Sequence, residues 1–539
     1  MGWGSRRRRP IYDQRVSAGL RDAVDALRTE WRLDFRVAER VLGALAGGGS
    51  VGEVVARTAA DRHQVEDVLR RVEPWLGRDG ERYVLTETVD EPAGVPDQRV
   101  LAATMAEIAA GLPAPAYDLD HVPARPATMA ARAGYFAERY ALAGATVLCV
   151  GDHDLSSVAI ALTEPSSEVM VVDIDQRILG YIEQVAAERG LPITTAFADL
   201  RLGLPASFAG AADLVFTDPP YTPDGVGLFL TRGLQGLRRS GHERIALAYG
   251  FASRQLARGF RTQAVLHELR LVLEALLPGF NRFDGAEAIG AASDLYVCRP
   301  TRFSWPVIER TTGGDPRIYS RGTAATESAP AELPESVVDD VRAALGAEQP
   351  TYVGDGWPAG GHRRLLDLPE YLAAGPQRRR AVAVNLHPHF GAALPQAMLA
   401  AAAADRAVLV APAADVQAIV DSPVWTLLAG TEIEIRPDAA AGLVLLRRTQ
   451  TPDLPAGQAY EFLVRHPEAK VGNAWRDALV AVAEGTGDDP TLTKNQARAI
   501  VRAAGVPERA LSLRLSELPM ETLAILVAAV ARTVGAPAR

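Results

Sequence analysis

The stretch Ala145-Thr-Val-Leu-Cys-Val150-Gly-Asp-His-Asp-Leu-Ser-Ser157 decides the fold. Residues 145–150 are an apolar run of strand length, rich in β-branched side chains and without a helical period. The run stops at Gly151-Asp152-His153-Asp154, and Leu155 to Leu162 then reads as a buried helix. A strand, a tight glycine turn and a helix form the first unit of a doubly wound α/β sheet, whose ligands sit beyond the carboxyl ends of the strands. Val169-Met-Val-Val-Asp-Ile-Asp175 brings Asp173 and Asp175 to the same edge. Thr195-Ala-Phe-Ala-Asp199 and Leu214-Val-Phe-Thr-Asp-Pro-Pro-Tyr221 do so again. Acids at successive strand ends point to a site.

An acid after the second strand suits a ribose diol, because one carboxylate accepts two hydroxyl hydrogen bonds. Asp175 or Asp173 fills that position, and Asp199 is placed to accept from an adenine amino group. Gly151 stands alone, with no Gly-x-Gly-x-x-Gly, and Asp152 and Asp154 in the first turn repel a pyrophosphate. They welcome a cation instead, so S-adenosyl-type ligands are favoured over NAD. In Asp218-Pro219-Pro220-Tyr221 the prolines lock the backbone, so that Asp218 accepts from an amine while Tyr221 offers its face to a base or a cation.

Composition sets the frame. The chain has 539 residues, 48% hydrophobic and 23% charged, with a net charge of −9. That describes a multidomain globular protein, argues against a general nucleic-acid binder and permits a cationic substrate. No apolar run reaches the length of a membrane span, and the Arg6–Arg9 run is followed by no signal-like segment, so a cytoplasmic protein is expected. Cys149 and Cys298 each lie in an apolar strand-like run and are read as reduced core residues.

Residues 1–12 read as a disordered basic tail. Residues 13–92 read as a winged helix-turn-helix: the stripe Val16, Leu20, Val24, Leu27, further short helices, and a hairpin turning at Asp79-Gly80. The basic residues of its candidate recognition helix, Arg62, Arg70 and Arg71, are diluted by Glu66 and Asp67, so docking or dimerisation is favoured over DNA binding. Residues 93–140 form a bridge, Pro-rich and then helical from Thr128, a candidate N-cap, to Tyr140. The core spans residues 141–308. Residues 309–334 read as a Gly/Pro/Ser/Thr linker, 335–460 as a second α/β unit and 461–539 as helical. Gly354-Asp-Gly-Trp-Pro-Ala-Gly-Gly361 and His387-Pro-His389 lack supporting ligands for a phosphate or a metal and are read as a turn and a surface loop.

Val150-Gly-Asp-His-Asp-Leu-Ser-Ser157, Val172-Asp-Ile-Asp-Gln-Arg177 and Thr217-Asp-Pro-Pro-Tyr-Thr222 resemble the branched-chain polyamine synthases, that is, N4-bis(aminopropyl)spermidine synthases. Asp120-His121 with Thr128 and Arg132 resembles that family's Asp-Gln…Thr…Arg segment, and Gly279-Phe-Asn-Arg-Phe283 its Phe-Asn-x-Tyr stretch. The resemblance covers about residues 15–300. It implies a class I methyltransferase-like (Rossmann-like) core that moves an aminopropyl group from decarboxylated S-adenosylmethionine to an amine of spermidine or a related polyamine, releasing methylthioadenosine. It implies Asp154 as the acid that serves the acceptor amine, with Asp218 beside it, and Asp120, Thr128, Arg132, Pro219 and Tyr221 as substrate-binding residues. Gly151, Asp152, Asp173, Asp175 and Asp199 are the expected donor-binding set. The family's acidic turn reads Gly-Asp-Asp-Asp; His153 stands in its middle position, a candidate second base, and His121 replaces a Gln. A sulfonium is already an activated leaving group, so no metal is expected. A homodimer is expected. Two alternatives stay open: methyl or aminocarboxypropyl transfer from intact S-adenosylmethionine to another amine, and a winged-helix regulator sensing a polyamine or adenosyl ligand.

Overall fold

The computed structural model describes residues 17–534, apart from residue 88 and residues 90–93, 311–316, 321–331, 347–348, 359–364, 438–440, 450–451, 453 and 487–491. The basic tail, Val16 and residues 359–361 of the glycine-rich turn lie outside the described residues.

The core is built on β1 (Thr146–Val150), β2 (Glu168–Asp173), β3 (Ile193–Phe197), β4 (Leu214–Thr217), β5 (Arg244–Tyr249), β6 (Val272–Arg282) and β7 (Ala292–Arg299). Their order is β3-β2-β1-β4-β5-β7-β6, parallel except for β7, which runs antiparallel to both β5 and β6. Helices cover both faces, so β1, β2 and β4 are buried on either side and read as continuous apolar runs rather than alternating ones. The helices that position the site are α1 (Pro126–Arg139), α2 (Ser156–Thr163), α3 (Gln176–Arg189), α4 (Pro223–Gly236) and α5 (Leu256–Glu268).

Two local readings need correction. Helix α1 starts at Pro126, whose missing N–H costs nothing at a first helical position, so its N-cap is Arg125 and not Thr128. Thr128 sits inside the first turn, where its hydroxyl donates to the Arg282 carbonyl and accepts from the Arg282 N–H. Leu155 is the cap of α2 rather than its first residue, with φ +60°.

Ahead of the core, helices Ala18–Trp31, Phe35–Ala46, Val51–Thr58 and Arg62–Arg71 lead into a hairpin, Leu76–Asp79 and Arg82–Leu85, turned by Gly80 at φ +61°. A short strand, Gly49–Ser50, pairs with the second arm. Buried ion pairs hold this unit to the core beneath β4 and β5: Arg244 donates to Asp34 at 2.8 Å, and Arg32 to Asp213 at 2.7 Å.

A second sheet follows the core: β8 (Thr351–Val353), β9 (Leu365–Leu366), β10 (Ala381–Asn385), β11 (Arg406–Ala411), β12 (Thr431–Arg436) and β13 (Gly442–Arg448). Its order is β9-β8-β10-β11-β13-β12. The helical region begins earlier than the expected residue 461, with Pro455–Arg465, and continues in Val471–Thr486, Lys494–Ala503 and Met520–Thr533. It is not wholly helical, because short 3-10 turns at Ala510–Ser512 and Leu515–Glu517 and a bridge between Lys470 and Arg514 interrupt it. One apolar core runs without a break from the first sheet into this region.

The expected linker also departs from its reading. Helix Ser304–Arg310 enters it, and Ile318 and Tyr319 are buried against the core. The segment is pinned where Thr222 donates to the Ile318 carbonyl at 2.7 Å and the Ser320 N–H donates to Asp120 at 2.7 Å. Its composition suited a linker, but the tertiary fold uses two of its apolar side chains.

Candidate active site

A cavity of about 490 Å³ opens at the carboxyl ends of β1, β2, β3 and β4. Gly151, at φ +72°, allows the chain to turn there; a side chain would be strained, and its Cβ would stand 3.0 Å from the Phe229 ring. The next residues close on themselves. Asp152 accepts the Ser157 N–H at 3.2 Å, and Asp154 accepts the Ser156 hydroxyl at 2.8 Å. The chain's own carboxylates thus occupy the N-terminus of α2, where a dinucleotide fold holds pyrophosphate.

Asp154 and Asp218 share one cation. Arg132 is fully buried, lies 4.7 Å over the Phe216 ring, and donates to Asp154, to Ser156 at 2.9 Å, to Asp218 at 2.9 Å and to Asn281 at 2.8 Å. Tyr221 donates to the other oxygen of Asp218 at 2.9 Å. Burial alone would raise the Asp154 carboxyl, yet Arg132, with His153 and Ser156, outweighs it and holds Asp154 below the usual carboxylate range. For Asp218 burial wins over the same arginine, and its carboxyl is raised. One guanidinium between two buried carboxylates therefore leaves one ionised and makes the other the readier proton acceptor.

Asp173 is lifted by burial although it accepts the N–H groups of Asp152 at 2.9 Å and Asp175 at 2.8 Å. Asp175 caps α3; burial opposes its ionisation, but hydrogen bonds from Arg177, the shortest 2.6 Å, keep its carboxyl low. Asp199 is gripped by Arg201 at 2.8 and 2.5 Å. Arg201 in turn donates to the His389 carbonyl at 2.6 Å and lies 4.9 Å over Phe390 and 5.8 Å over Tyr319. The His387–His389 segment is therefore no free surface loop: it packs against the cavity wall.

Of the residues expected from sequence, Gly151, His153, Asp173, Asp199, Asp218 and Asp120 line the cavity. Asp154, Arg132, Thr128 and Tyr221 stand directly behind it, as the partners of Asp218 or of the α1–β6 contact. Asp152 is turned into the fold, where it accepts the Ser157 N–H and does not line the cavity; burial and then Asp154 raise its carboxyl well above the ordinary range. Pro220 lines the cavity, and Pro219 beside it is buried. His121, noted beside Asp120, also lines the cavity, and sequence reading missed Arg201 and Tyr319. Arg201 was signalled by its place two residues after Asp199; Tyr319 had no local signal.

The residues fit an S-adenosyl-type ligand. His121 Nδ1 is buried without a hydrogen-bond partner among the described residues and lies 3.9 Å from Asp175, on the side where a ribose diol is read. Gly151, Asp173, Asp175 and Asp199 would hold such a group. Among the described residues there is no cluster of acids, histidines and cysteines that would hold a metal ion.

The strand order and the strand-end site define a Rossmann-like α/β fold of the class I methyltransferase type. Residues 100–308 match the model of the branched-chain polyamine synthase A C-terminal domain. The chain is 33% identical over 181 residues to the N(4)-bis(aminopropyl)spermidine synthase of Thermococcus kodakarensis, covering 33% of this chain and 51% of that protein. It is 37% identical over 182 residues to an uncharacterized protein of Methanocaldococcus jannaschii, covering 34% of this chain and 45% of that protein. It thus spans about half the length of the curated relatives it matches. The crystal structure of the Thermus thermophilus branched-chain polyamine synthase, in complex with N4-aminopropylspermidine and 5'-methylthioadenosine, superposes with a TM-score of 0.33 at 26% identity, covering 52% of this chain and 92% of that one.

Proposed function

We propose that the protein is an aminopropyltransferase that takes decarboxylated S-adenosylmethionine as donor and an amine of spermidine or a related polyamine as acceptor. The observation that carries this reading is the Arg132-centred pair of Asp154, behind the cavity, and Asp218, which lines it, within the segment that matches the polyamine synthase family model. The donor supplies an aminopropyl carbon activated by a sulfonium leaving group. A protonated amine has no lone pair for attack, so a carboxylate must take its proton. Asp218, the raised member of the pair, receives that proton, and Asp154, held ionised, keeps the amine oriented. Arg132 is a positioning residue that fixes both carboxylates. His153, the candidate second base, is oriented by its Nε2, which donates to the Val122 carbonyl at 3.1 Å.

The decarboxylated donor is favoured over intact S-adenosylmethionine because the cations nearest the cavity, Arg132, Arg177 and Arg201, are each engaged by an aspartate. A donor carboxylate would enter among acids with no cation assigned to it. The N-terminal unit reads as a winged helix-turn-helix used for docking. Its Arg62, Arg70 and Arg71 pair with Glu66, Asp67 and Glu30, which weakens the basic face that DNA needs. The C-terminal unit buttresses the donor side through Arg201, His389 and Phe390. A homodimer belongs to this reading, with the exposed apolar side chains Val272, Leu273 and Leu276 of edge strand β6 as the surface for a second copy. No helix among the described residues is long and apolar enough to cross a membrane.

Mass spectrometry of the full chain incubated with polyamines and each donor in turn tests the reading. Aminopropyl products with methylthioadenosine, formed only from the decarboxylated donor, are expected. Adenosylhomocysteine from intact S-adenosylmethionine would overturn it.

A further inference from the structure

On the donor side, the cavity wall is held by residues from both sheets. Asp199 and Arg201, in the turn after β3, line the cavity. The backbone of that turn is fixed from within the first sheet: the Leu202 N–H donates to the Asp199 carbonyl at 2.9 Å, and Arg232 of α4 donates to the Leu200 carbonyl at 2.7 Å. The Arg201 side chain is fixed from elsewhere. Both hydrogens of its Nη2 are used, one on Asp199 Oδ2 at 2.5 Å and one on the His389 carbonyl at 2.6 Å. The Phe390 ring covers the guanidinium at 4.9 Å, nearer than the Tyr319 ring at 5.8 Å. His389 and Phe390 belong to the loop after β10, outside the matched residues 100–308. That loop is itself anchored: the Phe390 N–H donates to the Leu386 carbonyl at 2.8 Å, and the Leu386 N–H to the Val410 carbonyl at 2.8 Å.

The consequence falls on Asp199. A carboxylate has about four lone-pair positions. Asp199 Oδ1 accepts the Arg201 backbone N–H at 3.0 Å and its Nε–H at 2.8 Å, whereas Oδ2 accepts only Nη2 among the described residues. One acceptor position is left, on Oδ2, and the rigid guanidinium fork fixes its direction. With its charge matched by Arg201, Asp199 suits a neutral amino group, as on adenine, better than an ammonium. An arginine released from Phe390 would leave the same acid without a fixed acceptor direction.

Resting on the adenosyl-donor part of the aminopropyl-transfer reading, we propose that Phe390 is a positioning residue of the donor site: with the His389 carbonyl it holds Arg201 so that Asp199 presents one oxygen to the adenine amino group, and base recognition at the first sheet depends on the second. Asp199 meets the base, and Phe390 acts through Arg201.

Isothermal titration of the full chain with 5'-methylthioadenosine and with its 6-deamino analogue, which lacks only the amino group, tests this. The wild type is expected to bind the adenine form at least about tenfold more tightly, because the analogue leaves an oxygen of buried Asp199 unpaired. Phe390→Ala is expected to cut that ratio at least about threefold, mainly by weakening the adenine form, and Phe390→Tyr, which keeps a ring over the guanidinium, to hold it within about twofold. A general loosening of the fold would weaken both nucleosides alike and leave the ratio in place. Arg201→Lys, which keeps the charge but loses the fork, is expected to give the same fall and serves as the readout if Phe390→Ala does not fold. A wild type that does not distinguish the two nucleosides, or a ratio unmoved in folded Phe390→Ala or Arg201→Lys, overturns the proposal. Binding of neither nucleoside overturns the adenosyl-donor reading itself, and the role of Phe390 with it.

Discussion

The two sheets of this chain share an architecture and differ at their strand ends. In the first, β1, β2, β3 and β4 each deliver an aspartate toward one edge, and side chains from the bridge at residues 119–121, the β4–α4 turn and the 317–320 segment close a cavity over them. In the second, the end of β10 is spent internally: Asn385 donates to the Asp355 carbonyl at 2.6 Å and accepts the His387 N–H at 3.0 Å. Its loop then packs onto Arg201 of the first sheet. An α/β sheet edge becomes a site where polar groups converge on a cavity with bonding capacity left over, and a scaffold where they satisfy one another.

The comparison breaks most sharply at Arg132. Arg132→Met leaves Asp154 and Asp218 buried without their cation, and a loss of about 3–5 kcal/mol in unfolding free energy is expected by denaturant titration. Turnover should fall with it.

Asp218→Asn keeps the shape but removes the proton acceptor, and kcat is expected to fall about 10²–10⁴-fold with folding intact by circular dichroism. The wild-type pH profile sharpens the same point. Burial raises the folded Asp218 carboxyl, so kcat/KM should decline as pH falls through a value above the ordinary 3.8. A limb at or below the ordinary value would assign the proton to another group.

His121 gives a stability signature confined to the first sheet. Its imidazole titrates near 6.5 when unfolded and about 3 when folded, so between those values the unfolded chain binds more protons. Stability from this source is complete above about pH 6.5 and is lost as pH falls toward 3. His121→Gln should flatten that loss by up to about 4 kcal/mol, read from unfolding curves at successive pH values.

The smallest effect is expected in the second sheet. Asn385→Ala removes a buried bridge and should cost about 1–2 kcal/mol of stability while leaving kcat within twofold. A large fall in turnover without unfolding would show that the second sheet takes part in the chemistry.

Much of the fold was legible because strands buried on both faces leave unbroken apolar runs, and Asp-rich turns after them are local. Thr146–Val150, Glu168–Asp173 and Leu214–Thr217 stand where the pattern put them. The start of α1 was misplaced because Thr128 has the chemistry of a cap while Pro126 sets the backbone. The linker was misread because Gly, Pro, Ser and Thr dominate it, and the burial of Tyr319 depends on partners more than a hundred residues away.

The sequence by itself determined that acids gather at one sheet edge, since strand ends and turns are short-range features and their order follows the chain. Only the tertiary structure decided which of those acids face a ligand. Asp152 turns inward to hold α2, Asp199 is engaged by Arg201, and beside one Arg132 the Asp154 carboxyl is lowered while burial raises that of Asp218. Those outcomes depend on burial and on cations supplied from elsewhere in the chain, and no local pattern encodes them. The stacking of His121 on His153 belongs to the same class, because only folding brings the two turns together.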